Sequence, residues 1–194
     1  YNFDGIDIDY EAKIAETRPY FSAFLSELSL ALHKDKKKLI CTVEARTPPD
    51  SRYATTSAAV LAKVEYANDY KAIGKACDQV RIMAYDQDTD DAKLTTENKK
   101  TGKLYAPVAD IEWVKKVVTV ALKDIPASKI ILGVPTYGYK YELTPSSLAG
   151  FTTYKRIGSM NFNYAEELAK TLAITPSRNS AGELHFVYST STDI

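Results

Sequence analysis

In the run Asp4-Gly5-Ile6-Asp7-Ile8-Asp9-Tyr10-Glu11, four acids alternate with apolar residues closely enough that strand geometry decides where each side chain points. Successive strand side chains face opposite ways, so Asp7, Asp9 and Glu11 share one face. Ile6, Ile8 and Tyr10 share the other, and parity puts Asp4 with them. Neighbouring acids in the column lie about 6–7 Å apart along a strand, where like charges resist simultaneous ionisation and push at least one carboxyl pKa upward. An acid kept protonated beside ionised carboxylates can hand a proton to a leaving oxygen, which is what breaking a glycosidic bond requires. Two other readings compete. A calcium loop interleaves acids with Gly and polar residues rather than with Ile. A solvated edge strand carries acids on one face without function, but Phe3, Ile6, Ile8 and Tyr10 suit a strand whose back is covered by helices.

The same run resembles the DxxDxDxE signature of glycoside hydrolase family 18, the chitinases and related N-acetylglucosaminidases, with Asp4, Asp7, Asp9 and Glu11 in the four acid positions. Arg81-Ile82-Met83-Ala84-Tyr85-Asp86 resembles that family's Met-x-Tyr-Asp strand, and Gly133-Val134-Pro135-Thr136-Tyr137-Gly138 resembles its next strand, in the same order. Ala106-Pro107-Val108-Ala109-Asp110 and Gly182-Glu183-Leu184-His185-Phe186 look like bacterial members, some acting on chitin and some on peptidoglycan or spore cortex.

The resemblance implies an α/β fold, the TIM (β/α)8 barrel. It also implies retaining, substrate-assisted hydrolysis of β-1,4-linked N-acetylglucosamine polymers, chitin or peptidoglycan, with no cofactor and no metal. The sugar's own acetamido oxygen is then the nucleophile. Glu11 is the expected general acid. Asp9 orients the acetamido N–H and stabilises the positive charge on the ring intermediate, and Asp7 tunes Asp9 by a shared proton or hydrogen bond. Tyr85 donates its hydroxyl to the acetyl carbonyl. Met83, Asp86, Tyr137 and Tyr10 are the expected substrate-binding residues. The alternative is a non-catalytic, chitinase-like carbohydrate-binding protein, against which the intact Glu11 argues. Trp113, on a predicted helix, does not stand for the family's subsite tryptophan, which belongs to the eighth strand.

Hydrophobic periodicity supplies the elements that must position these residues. Strands are predicted over residues 1–10, 39–44, 79–86 and 130–138. Helices are predicted around a Phe21, Phe24, Leu25, Leu28, Leu32 stripe, over 66–76, and over 112–122 with Val114, Val117, Val118 and Leu122 buried. Residues 87–103 read as a long polar loop. Strand–helix alternation means parallel βα units, and placing the acidic signature on the fourth barrel strand gives this chain strands four to seven. A whole barrel takes about 250 residues, so the remaining strands are expected from the rest of a larger protein, a partner chain or another copy. Residues 1–150 are the expected barrel portion. Residues 151–194 are expected to start an α+β insertion element, with a helix at 163–173 and a strand at 184–189. Within the barrel portion, Glu44 is expected to point inward and meet Arg81 in a structural ion pair.

Composition narrows the partners. The 194 residues are 45% hydrophobic and 26% charged, ordinary for a globular protein. Twenty-five basic residues balance twenty-five acidic ones, which points away from nucleic acid and anionic membrane. The Lys34 to Lys38 run reads as a solvated helix terminus. No apolar run is long enough to span a bilayer, and the chain opens without Met on a strand rather than on a leader. Cys41 and Cys77 fall in core segments without the spacing of a metal knuckle, and no disulfide framework is expected. An extracellular or cell-envelope location is expected.

Overall fold

The computed structural model describes residues 2–53, 57–101, 106–145 and 152–189. Strands β1 (Gly5–Ile8), β2 (Lys38–Glu44), β3 (Gln79–Met83) and β4 (Ile130–Leu132) form one parallel sheet in chain order. After β1 comes α1 (Arg18–Lys34). Between β2 and β3 lie two short turns of helix, α2 (Pro49–Arg52) and α3 (Ala58–Leu61), then α4 (Tyr70–Ala76). Between β3 and β4 lie α5 (Gln87–Asp90), α6 (Ala92–Thr101) and α7 (Ile111–Ala121).

One face of the sheet makes the core. Ile8, Leu39, Cys41, Val43, Val80 and Ile82 meet Phe21 and Leu25 of α1, Tyr70 and Ile73 of α4, and Trp113 and Val117 of α7. Each buried aliphatic or aromatic side chain contributes about 1.5–3 kcal/mol. Strands of a parallel sheet covered on both faces read as near-continuous apolar runs. Here β2 and β3 alternate instead, with Thr42, Glu44, Arg81 and Met83 on the face that no described helix covers.

Several expectations are corrected. The polar stretch 87–103 is helical through α5 and α6 as far as Thr101. Its start is fixed by the Asp91 carboxylate, which accepts the Leu94 N–H at 2.9 Å and so caps an orphan donor. Helix α7 is capped by Asp110, which accepts from Glu112 N–H at 2.7 Å. It buries Trp113, Val117, Val120 and Ala121 and leaves Leu122 48% exposed, so the apolar stripe is rotated toward the tryptophan. The predicted fourth strand ends at Leu132, and Tyr137 begins a separate antiparallel hairpin. In it β5 (Tyr137–Pro145) pairs with β6 (Thr152–Asn161), with an irregularity at Lys140/Tyr141. Helix α8 (Phe162–Thr171) follows, capped by Asn161, and among the described residues of the tail the strands are the two-residue β7 (Ser177–Arg178) and β8 (Leu184–His185).

Cys41 and Cys77 form a disulfide with Cα atoms 6.0 Å apart, contrary to the sequence expectation. Cys77 caps the C-terminus of α4, and the next residue, Asp78, donates its N–H to the Leu39 carbonyl oxygen of β2 at 2.8 Å, which brings Cys77 beside Cys41. Both residues are essentially inaccessible, at 0% and 1% exposure.

Candidate active site

The uncovered face of the sheet collects the acids. Asp7, Asp9 and Glu11 are exposed, while Ile8 points into the core as parity requires. Asp7 is held by its neighbours across the sheet. Arg81 Nη1 donates to it at 2.7 Å, and Thr42 Oγ1 lies 3.0 and 3.1 Å from its two oxygens. Asp7 therefore bonds to β2 and β3. Arg81 is not the partner of Glu44. That carboxylate instead accepts from Ala12 N–H at 3.1 Å and from Asn68 Nδ2, because its strand position puts it beside the turn after β1.

Tyr85, two residues past β3, is half-buried. Burial raises its phenol pKa, and the negative charges of Asp9, Asp86 and Glu11 raise it further. Asp9 and Glu11 follow the C-terminal end of β1, Tyr85 and Asp86 that of β3, and the charges of the three acids bear on the phenol. Gly133 makes room for the ring, since a Cβ there would stand 2.9 Å from both Tyr85 Cε1 and the Ile82 carbonyl oxygen. Asp86 adopts a left-handed backbone conformation (φ 54°) that Asp tolerates better than most residues. It accepts the Tyr137 hydroxyl at 2.6 Å and the Tyr139 hydroxyl as well. Burial, then the bond to Asp86, pushes both phenols far above their ordinary pKa. The Tyr85 and Tyr137 rings meet edge to face at 6.4 Å.

Of the residues singled out from sequence, Tyr85, Asp86 and Tyr137 touch one another, Asp9 and Glu11 act on Tyr85 through their charge, and Asp7 stands lower on the same face. Met83 lies half-buried on the same face, in register with Glu44. Tyr10 does not join them. Its ring stacks on Phe24 and meets Phe21 at a tilt, both of α1 and both at 6.1 Å, on the side of the chain opposite the acids. Tyr139 was not anticipated. Its signal was the alternation Tyr137-Gly138-Tyr139-Lys140-Tyr141, which continues a strand past Gly138.

Beside this group, Arg52 Nη2 lies 3.4 Å from Asp90. Burial outweighs that cation and, with the charges of Glu44, Asp86 and Asp91, pushes the Asp90 carboxyl up to about 6. An acid that holds its proton more tightly folded than unfolded favours the fold at low pH. That contribution is complete below about pH 4 and is lost as pH rises through about 6. Between pH 4 and 7 the parent is therefore expected to lose about 2 kcal/mol of unfolding free energy relative to Asp90→Asn. Urea melts of the two proteins across that range measure it, and a difference independent of pH would contradict it.

The family described as glycosyl hydrolases family 18 matches over residues 1–192. The chain belongs to that family. It is 28% identical over 184 residues to the uncharacterized glycosylase YvbX of Bacillus subtilis, covering 86% of this chain and 48% of the relative. With chitotriosidase-1 of Mus musculus it shares 31% identity over 160 residues, 75% of this chain and 32% of the relative. A crystal structure of a chitinase from Chromobacterium violaceum superposes with a TM-score of 0.64 at 26% identity, covering 93% of this chain and 47% of the other. The chain thus spans about half the length of YvbX and of that chitinase, and about a third of chitotriosidase-1. Its sheet and outer helices are part of a TIM barrel. In such a barrel the helices lie outside, so the uncovered face of the sheet is the one that turns inward, and the chemistry sits at the C-terminal strand ends.

Proposed function

We propose that the full protein is a retaining, substrate-assisted glycoside hydrolase that cuts β-1,4 links in N-acetylglucosamine polymers, chitin or the glycan of peptidoglycan. The observation that carries this reading is the column Asp7, Asp9 and Glu11 on the uncovered face of the sheet, opposite the buried Ile8, with the Tyr85–Tyr137–Asp86 group at the strand ends where a barrel keeps its site. Glu11 protonates the glycosidic oxygen as the C1–O bond breaks. The acetamido carbonyl oxygen of the same sugar attacks C1 from the opposite face, giving a cyclic cation. Asp9 accepts the acetamido N–H and faces the positive charge, while Tyr85 donates to the acetyl oxygen and orients it. Glu11, now a carboxylate, takes a proton from the water that opens the ring. Asp86, held by Tyr137 and Tyr139, and Met83 line the sugar site. Asp7, fixed by Arg81 and Thr42, anchors the foot of the column.

The remaining barrel strands come from elsewhere in the protein or from another chain. The hairpin, α8 and the tail form an inserted element. β5 and β6 pair with each other and not with the parallel sheet, which supports a start near Tyr137 for this element. The buried Cys41–Cys77 bridge supports a location outside the reducing cytosol, in the envelope or beyond it.

Deacetylated substrates test the reading. An intramolecular nucleophile is worth a very high effective concentration, so a chito-oligosaccharide without acetyl groups is expected to be cut at least about 10³-fold more slowly than its N-acetylated counterpart. Equal rates on the two oligomers would exclude the substrate-assisted step. An oligosaccharide that binds without being cleaved would indicate the carbohydrate-binding alternative.

A further inference from the structure

We infer that Glu44 is a positioning residue that holds Glu11 in place by fixing the backbone on its C-terminal side. The inference rests on the proposed role of Glu11 and adds to it a residue outside the acidic signature. Glu11 lies beyond the pairing of β1, whose last registered residue is Ile8 opposite Cys41. Sheet hydrogen bonds therefore do not set its place. Ala12, the next residue, has φ 52°, a left-handed conformation that a residue with a Cβ rarely adopts.

Glu44 supplies the restraint. Its Oε1 accepts the Ala12 N–H at 3.1 Å, and its Oε2 lies 3.7 Å from Lys13 Nζ. Lys13 Nζ also donates to the Tyr10 carbonyl oxygen, so the residues on both sides of Glu11 are tied to one knot. The ring of Tyr10 completes the hold from the other side through its stacking on Phe24. Glu44 is itself fixed. Asn68, only 7% exposed, donates Nδ2 to Oε2, and its own Oδ1 has no partner among the described residues, so the Glu44 carboxylate accounts for its placement. The buried Tyr70 hydroxyl donates to the Glu44 backbone carbonyl at 2.9 Å and sets where that residue stands. A proton donor on an otherwise unpaired turn needs such a frame, because a displacement of about 1 Å costs about a hundredfold in rate.

The test uses the full protein and an N-acetyl chito-oligosaccharide. Glu44→Ala is expected to lower kcat by about 10- to 100-fold with KM within about twofold, the signature of a misplaced reacting group. Adding Ala12→Gly is expected to restore at least about fivefold of that loss, because glycine takes a positive φ without needing the hydrogen bond. A general structural role for Glu44 gives no such rescue. Glu44→Gln keeps an acceptor for the Ala12 N–H and is expected to stay within about threefold of the parent; this variant carries the test if Glu44→Ala does not fold. Parental kcat in Glu44→Ala, a loss that Ala12→Gly leaves untouched, or a folded Glu44→Gln more than tenfold slower than the parent would each overturn the inference. Glu11→Gln in the same assay separates the two levels. An inactive Glu11→Gln beside a fully active Glu44→Ala removes only the positioning role, whereas an active Glu11→Gln removes the function on which it rests.

Discussion

Glu11→Gln in the full protein lowers kcat on an N-acetyl chito-oligosaccharide by about 10²–10⁴-fold, the range that a general acid supplies. Binding of the same oligosaccharide stays within about twofold, because the amide keeps the size of the side chain and loses only the transferable proton. The expectation follows from geometry. Glu11 is on the barrel-interior face and past the strand end, and its charge bears on Tyr85 together with those of Asp9 and Asp86. Asp7 is already committed to Arg81 and Thr42, and Asp86 to two tyrosine hydroxyls. That leaves Glu11 and Asp9 as the column acids for which no side-chain hydrogen bond is described. Single-turnover kinetics with calorimetric binding check the prediction, and unchanged turnover removes Glu11 as the proton donor.

The second large effect is on stability. Replacing both cysteines, Cys41→Ala with Cys77→Ala, opens a loop of 36 residues in sequence. In the chain-entropy account, closing such a loop is worth about 3–4 kcal/mol. For a chain of this size that corresponds to a fall in melting temperature of about 10 °C. Reductant is expected to lower the parent's melting temperature in the same direction and to leave the double variant unchanged. Coincident melts of parent and variant, with and without reductant, would show that the bridge does not stabilise the fold.

The acid column was legible because strand parity is a local rule. Once residues 5–8 form a strand, Asp7 must oppose Ile8, and the burial of Ile8 shows it. Alternation likewise put Met83 and Tyr85 on the inward face, whereas Asp86, past the end of β3 and in a left-handed conformation, was legible only through the resemblance to the family's Met-x-Tyr-Asp strand. What parity cannot give is a partner on another element. Arg81 reaches Asp7 rather than Glu44, and Glu44 reaches Ala12, because those pairings depend on how β1, β2 and the turn after β1 are offset. The disulfide was hidden likewise, since only the joining of the segment after α4 to β2 brings Cys77 to Cys41. Helix α6 escaped because Ala92–Thr101 carries almost no apolar stripe, and its Asp91 cap was the one local sign. Two segments that resemble bacterial family members, residues 106–110 and 182–186, meet in space: Glu183 Oε1 accepts the Val108 N–H at 2.7 Å, which ties the tail to the linker before α7. No sequence pattern announces such a contact.

The most direct test of the account is the configuration of the first reducing ends that the full protein releases from an N-acetyl chito-oligosaccharide, followed by proton NMR before mutarotation. Attack by the acetamido oxygen and then by water inverts C1 twice, so the new ends are expected as the β anomer. Release of the α anomer would mean a single displacement by water, and the assignment of Glu11, Asp9 and Tyr85 to a substrate-assisted reaction would be wrong.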